Sequence, residues 1–224
     1  MNPDLRLLIE TALETFEGGR FQDFCLDFLP IYDVRFEGLT RVGHNAAGKT
    51  RAGTPDLQKT VGDRQIAVQC GTEQDYWPPE RSIKTSKPYR DAMDCIRKLH
   101  NVAEIVLITN RETPAGTPNV RAAISAALTQ ATTATITLLG REDLGQYLAA
   151  NVNEARLANL ISQYFPIVAR ALEGQQEAGQ NRILREIARS QVLELGAALR
   201  VVDDAMRATT LAHAGSSRAF LINE

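Results

Sequence analysis

Asp56 opens one β-prone stretch, and Gln69 lies near the end of the next, in Gln65-Ile66-Ala67-Val68-Gln69-Cys70-Gly71-Thr72. A carboxylate and an amide carbonyl are hard oxygen donors, the kind that Mg2+ or Mn2+ selects. Phosphodiester cleavage is the chemistry that such a pair suits, because it demands an activated water and neutralised charge on the scissile phosphate. Val61-Gly62-Asp63-Arg64 supplies turn chemistry between the two stretches. A hairpin there sets Asp56 and Gln69 on neighbouring strands, with both side chains on one patch.

The cations form a second pattern. All five lysines lie between Lys49 and Lys98, and Arg35, Arg41, Arg51, Arg64, Arg81, Arg90 and Arg97 fall with them in the segment from Arg35 to Lys98. Such a local basic face suits a phosphate backbone, although the formal net charge of -2 excludes a simple basic nucleic-acid coat. Lys49, Arg51 and Lys87 are the expected backbone contacts. Tyr76 and Trp77 are candidates to stack on a base, with Trp77 the leading one.

Gly43-His44-Asn45-Ala46-Ala47-Gly48-Lys49-Thr50 matches the phosphate-cradling pattern G-x-x-x-x-G-K-[ST]. That loop must feed a helix whose first amides face the phosphates, yet Gly53 and Pro55 stand where the helix should begin. No apolar strand ending in Asp follows as a magnesium partner. A nucleotide-binding P-loop is therefore the third reading of this chain. His44, His100 and His213 are too scattered to form a ligand cluster.

The elements that must position these residues are legible from periodicity. Pro3 and the apolar residues Leu5, Leu8, Ile9, Leu13 and Phe16 predict an amphipathic helix ended by Gly18-Gly19. Phe21 to Leu29 predicts a second helix, stopped at Pro30. Three strands are expected near 32–42, 55–61 and 65–72. A helix at 87–100, a strand at 103–110, a helix near 118–130, a strand at 134–139 and a short helix at 141–150 then alternate. After Asn153 the strand signal ends. One helix marked by Leu157, Leu160, Ile161 and Tyr164, kinked at Pro166, and a longer one from 180 to 212 form an expected helical extension, a surface for homo-oligomers.

With Asp56, Gln69 and this order of elements, the chain resembles the PD-(D/E)XK nuclease superfamily. The likeness covers about residues 15–150 and is similar to N-terminal nuclease domains of bacterial antiphage defence proteins. It implies an α/β fold with a restriction-endonuclease-like mixed sheet flanked by helices, over residues 1–151, followed by a helical extension at 152–224. It further implies a Mg2+- or Mn2+-dependent DNA endonuclease in which Asp56 and Gln69 hold the metal. Gly71 stands where the motif carries lysine. Lys84 or Lys87 would supply that charge from a migrated position, Lys84 being assigned the catalytic place. Gln22 replaces the first-helix acid and is expected to line the site. Glu17 is the other candidate, whereas Asp23 is expected to point away. The replacements at positions 22, 69 and 71 favour an alternative, a nuclease fold that binds nucleic acid or scaffolds an assembly without cutting.

Composition bounds the rest. At 224 residues and 44% apolar content, the chain can bury a substantial core. Cys25, Cys70 and Cys95 have no C-x-x-C spacing, which predicts buried free thiols in a reducing compartment. With no apolar run of about 18 residues and no basic-then-apolar leader, neither a membrane span nor a signal peptide is expected, and a cytoplasmic location is. The apolar end Ala219-Phe220-Leu221-Ile222 suggests that a further domain or a sensor partner follows.

Overall fold

In the computed structural model the described residues are 3–42, 55–114 and 119–174, together with parts of 182–207. They form an α/β fold around one five-stranded mixed sheet, in the order β1-β2-β3-β4-β5. Strands β1 (Thr40–Arg41), β2 (Leu57–Val61) and β3 (Arg64–Gly71) run as an antiparallel meander. Strands β4 (Val102–Thr109) and β5 (Thr135–Leu139) add on in parallel. Helix α3 (Lys87–Lys98) crosses from β3 to β4, and α4 (Val120–Thr129) from β4 to β5. Parallel neighbours require such crossovers, because a tight turn cannot reverse the chain direction twice.

Local sequence accounts for most of these elements. The β2–β3 turn is two residues long, Val61 pairs with Arg64, and Gly62 takes a φ of +63°, where a side chain would be strained. Ser86 caps α3 by accepting from the Tyr89 amide, with Pro88 in the first turn, whose fixed φ suits a helix start. Strand β4 is buried without interruption from Glu104 to Thr109, as a central strand with parallel neighbours on both sides should be.

Helices cover both faces. On one face α3 and α4 pack Ala92, Cys95, Val120, Ile124 and Leu128 against Ala67, Ile105 and Leu107 of the sheet, with Tyr76 and Trp77 in the same cluster. The other layer contains α1 (Pro3–Glu14), α2 (Gly18–Tyr32), α5 (Arg141–Ala150) and α6 (Ala155–Tyr164). There Phe16, Phe24, Phe28, Tyr164 and Phe165 pack as edge-on and stacked rings. The buried Asn110, just after β4, donates from Nδ2 to the carbonyls of Leu13 (2.9 Å) and Phe16 (2.8 Å), so the central strand's end ties down the end of α1.

Three expectations are corrected here. Pro30 does not stop the second helix: α2 continues to Tyr32 and closes with the Asp33 amide on the Leu29 carbonyl. A proline so near a helix end forfeits one backbone bond, and the Phe24–Phe28 and Phe28–Tyr32 ring contacts run through the same turns. The strand expected at 32–42 is mostly the end of α2 and a 3-10 turn at Val34–Phe36, leaving only β1. The extension does not begin at 152, because α6 buries Leu157, Leu160 and Ile161 and its Tyr164 hydroxyl donates to Asp27 (2.6 Å). The first compact unit therefore runs from Met1 to Ala169. The helix does break at Phe165, before Pro166, as the clash between proline and the preceding residue requires.

The second unit, Arg170–Glu224, is helical over its described residues. Leu199, Val202 and Met206 are exposed on it. No helix among the described residues is long and apolar enough to cross a membrane.

Candidate functional site

Asp56 sits at the mouth of β2, where the meander's hydrogen bonds fix its backbone: its amide donates to the Val68 carbonyl and its own carbonyl accepts from Val42 (both 3.0 Å). The side chain is thereby held against β3. Its Oδ2 accepts from the Cys70 amide and its Oδ1 from Gln22 Nε2, each at 2.8 Å. Burial pushes this carboxyl from its ordinary 3.8 up to about 6. The Cys70 amide and the Lys87 charge oppose the rise, and the charges of Asp91 and Glu73 reinforce it.

Gln69 is buried on β3, with its amide nitrogen 3.6 Å from Cys95 Sγ on α3. That commits the nitrogen to sulfur and leaves the carbonyl oxygen as the donor for a cation. Burial pushes the Cys95 thiol up to about 12, and the charges of Asp91 and Asp56 add to the rise. The thiol is thus a neutral wall of the site and no nucleophile.

Of the two candidate lysines, the structure brings Lys87 to the site. Lys84 is exposed in the last turn of the 3-10 segment Glu80–Thr85. Lys87 opens α3 and reaches Asp91 Oδ2 at 3.0 Å and Glu73 Oε1 at 3.5 Å. Burial alone would lower the Lys87 ammonium; its bonds and attraction to Asp91 and Glu73 outweigh that, and its proton is held more tightly than usual. It is a fixed positive charge at neutral pH. Asp91 is also raised, by burial first and by Glu73 and Asp94 in addition, against the pull of Lys87.

Glu73, Asp91 and Cys95 were not assigned to the site from sequence, and Tyr76 was named there only as a stacking candidate, a role that its full burial excludes. Lys87 and Asp91 stand four apart, a spacing that meets on one helix face and marks the pair before any coordinates. Nothing in the sequence pattern puts that face over Asp56.

Gly71 finds its explanation here. A Cβ at this position would lie 2.0 Å from Cε2 and 2.2 Å from Cδ2 of Tyr76. The Tyr76 ring lies where any side chain at 71 would begin, so a lysine cannot stand there without expelling it.

The remaining assignments divide. Gln22 reaches Asp56 as expected. Asp23 turns away to pair with Arg41, and Glu17 is an exposed residue at the start of α2. Trp77 is corrected: only 6% of it is exposed, its indole donates to the Arg111 carbonyl (3.0 Å), and the Arg121 guanidinium lies over its ring. No ring face is left for a base. Lys49, Arg51 and the whole Gly43–Thr50 pattern lie outside the described residues. The first described element after them is strand β2.

Among the described residues no group of three His, Cys, Asp or Glu side chains converges as a metal cage. Magnesium does not need one. It keeps several waters and takes one or two carboxylates, a demand that Asp56, Asp91 and the Gln69 carbonyl suit. The charge of Asp91 adds to the rise of Asp56, a repulsion that a divalent cation would relieve. A pocket of about 380 Å³ lies elsewhere, lined by Leu8, Phe16, Tyr164, Phe165 and Ile167 among others, and is apolar.

No family model matches the chain, and neither a curated protein nor a solved structure matches it.

Proposed function

We propose that the chain is a metal-dependent DNA endonuclease of the PD-(D/E)XK type, acting as the effector part of an antiviral or restriction-type system. The observation that carries this reading is the desolvated Asp56 carboxyl beside β3, with Gln69, Asp91 and the fixed positive charge of Lys87 grouped around it. Support also comes from the meander followed by two β-α-β crossovers, the layout that the sequence resemblance implies. The defence context rests on that resemblance.

Asp56, Gln69 and Asp91 would hold Mg2+ or Mn2+. When bound, such a cation supplies an acidified water and neutralises charge on the scissile phosphate. Gln22 and the Cys70 amide orient Asp56, so that it meets its ligand without rearrangement. Lys87, kept protonated by Asp91 and Glu73, stands as the charge partner for the phosphate in the transition state, the part that a lysine at position 71 would play. Burial of Cys95 and Tyr76 walls the site and lowers its effective dielectric, which strengthens each of these interactions.

A second reading, a nuclease fold that binds nucleic acid or scaffolds an assembly without cutting, draws support from two observations. Both Asp56 oxygens already accept hydrogen bonds, and position 71 is closed to lysine. One experiment separates the two. Plasmid DNA is incubated with the protein in Mg2+ or Mn2+, beside Asp56→Ala, Lys87→Ala and Lys84→Ala. The endonuclease reading expects nicking that Asp56→Ala abolishes and Lys87→Ala lowers about a hundredfold or more. Lys84→Ala should alter only salt-sensitive binding. Absence of cutting by wild type, including any assembled form, leaves the binding module as the function.

A further inference from the structure

Tyr76 is fully buried, yet its hydroxyl makes no hydrogen bond to the protein. An unmade bond at a buried hydroxyl is costly, and such groups are rare outside sites where a ligand supplies the partner. The ring is held on two sides. It covers Gly71 and meets Trp77 edge-on at 5.2 Å between centroids, while Trp77 is itself held by the Arg111 carbonyl. The hydroxyl therefore cannot swing elsewhere for a partner. Asp91, Glu73 and Asp56 are near enough for their charges to act on it, together with the Cys70 thiol, and the ring that carries it lies over Gly71, next to the Cys70 amide that holds Asp56. Burial, reinforced by those charges, holds its proton far above the ordinary phenol range, so it is a donor at every working pH.

A neutral, unpartnered donor beside a cluster of carboxylates suits an oxyanion brought there by a cation. We propose that Tyr76 is a further catalytic residue, whose hydroxyl donates to a non-bridging oxygen of the phosphodiester held at the Asp56–Asp91 site. The inference rests on the nuclease reading for its substrate. Gly71 is then a consequence: a side chain at 71 and this tyrosine cannot coexist, and the chain carries a hydroxyl from the following loop in place of a charge from the strand. The hydroxyl and Lys87 would contact the same phosphate from β3's end and from the start of α3.

Tyr76→Phe removes one oxygen and no protein hydrogen bond, so the fold should be untouched. Three measurements compare it with wild type: melting temperature, affinity for a short DNA duplex in Ca2+, and single-turnover cleavage of that duplex in Mg2+. The expected result is a melting temperature equal to or above wild type, duplex affinity unchanged within about twofold, and cleavage lowered about tenfold to a hundredfold, as for loss of one donor to developing charge. Cleavage at the wild-type rate overturns the proposal. A lower melting temperature does so too, because it shows a structural partner for the hydroxyl. If wild type cuts nothing, the nuclease reading fails separately, and Tyr76 is judged by inorganic phosphate. In Mn2+, phosphate should raise the wild-type melting temperature and leave Tyr76→Phe unmoved. Equal responses, or no response in wild type, overturn the hydroxyl's role as an anion donor.

Discussion

Asp56→Asn should make the protein more stable while destroying its site. The Asp56 carboxyl has a proton affinity of about 6 in the folded state against 3.8 ordinarily, the shift being set first by burial. A carboxyl raised on folding binds its proton more tightly folded than unfolded. The folded state is thus favoured below 3.8, and that advantage is lost as pH rises to about 6. Above that value the ionised Asp56 is a constant burden. At about 1.4 kcal/mol per pH unit, the gap corresponds to about 3 kcal/mol at pH 7.5. Asparagine has the same shape and no charge. Its carbonyl can keep the Cys70 amide, and its NH2 can meet Gln22 once that amide turns its oxygen inward. Urea unfolding of both proteins in chelator, from pH 4 to 8, reads the difference directly. Asp56→Asn should be more stable by roughly 2–3 kcal/mol at pH 7.5, with the advantage shrinking through pH 6 and gone near pH 4. Subtracting the two curves removes the titration of groups shared by both. Equal stability at pH 7.5, or a difference that does not change with pH, refutes the claim that a desolvated, ionised carboxylate is held at this site.

Gly71→Ala should cost roughly 1–3 kcal/mol by forcing the Tyr76 ring aside, and markedly less in a Tyr76→Leu background, a coupling that a double-mutant cycle in urea measures. Asn110→Ala strips donors from two buried carbonyls at the end of α1 and should destabilise by roughly 2–4 kcal/mol, seen as a fall in the denaturation midpoint. Trp77→Phe should cost about 1–3 kcal/mol through the orphaned Arg111 carbonyl, with DNA affinity unchanged. A fall in affinity without a fall in stability would restore Trp77 as a stacking residue.

The alternation of elements after residue 87 was plain in the sequence. The helices at 87–98, 120–129 and 141–150 and the strands at 102–109 and 135–139 each carry one period, and each is bounded by a cap or a turn residue. The β2–β3 hairpin was equally plain, since Gly62 is what its positive φ requires. Asp56 and Gln22 were singled out from residue type and position, and the Gln22–Asp56 hydrogen bond joins them. Errors fell where a long-range contact overrides a local rule. Ring packing runs through the turns around Pro30, and α6 joins the first unit because its apolar face meets α2. The choice between Lys84 and Lys87 belongs to the same class. Three residues separate an exposed cation from one facing Asp91 and Glu73, and only the start of α3 decides which is which. The meaning of Gly71 was beyond sequence altogether. A missing lysine looks like a lost function until the Tyr76 ring is seen in its place, because a sequence records what is absent from a position and not what fills it.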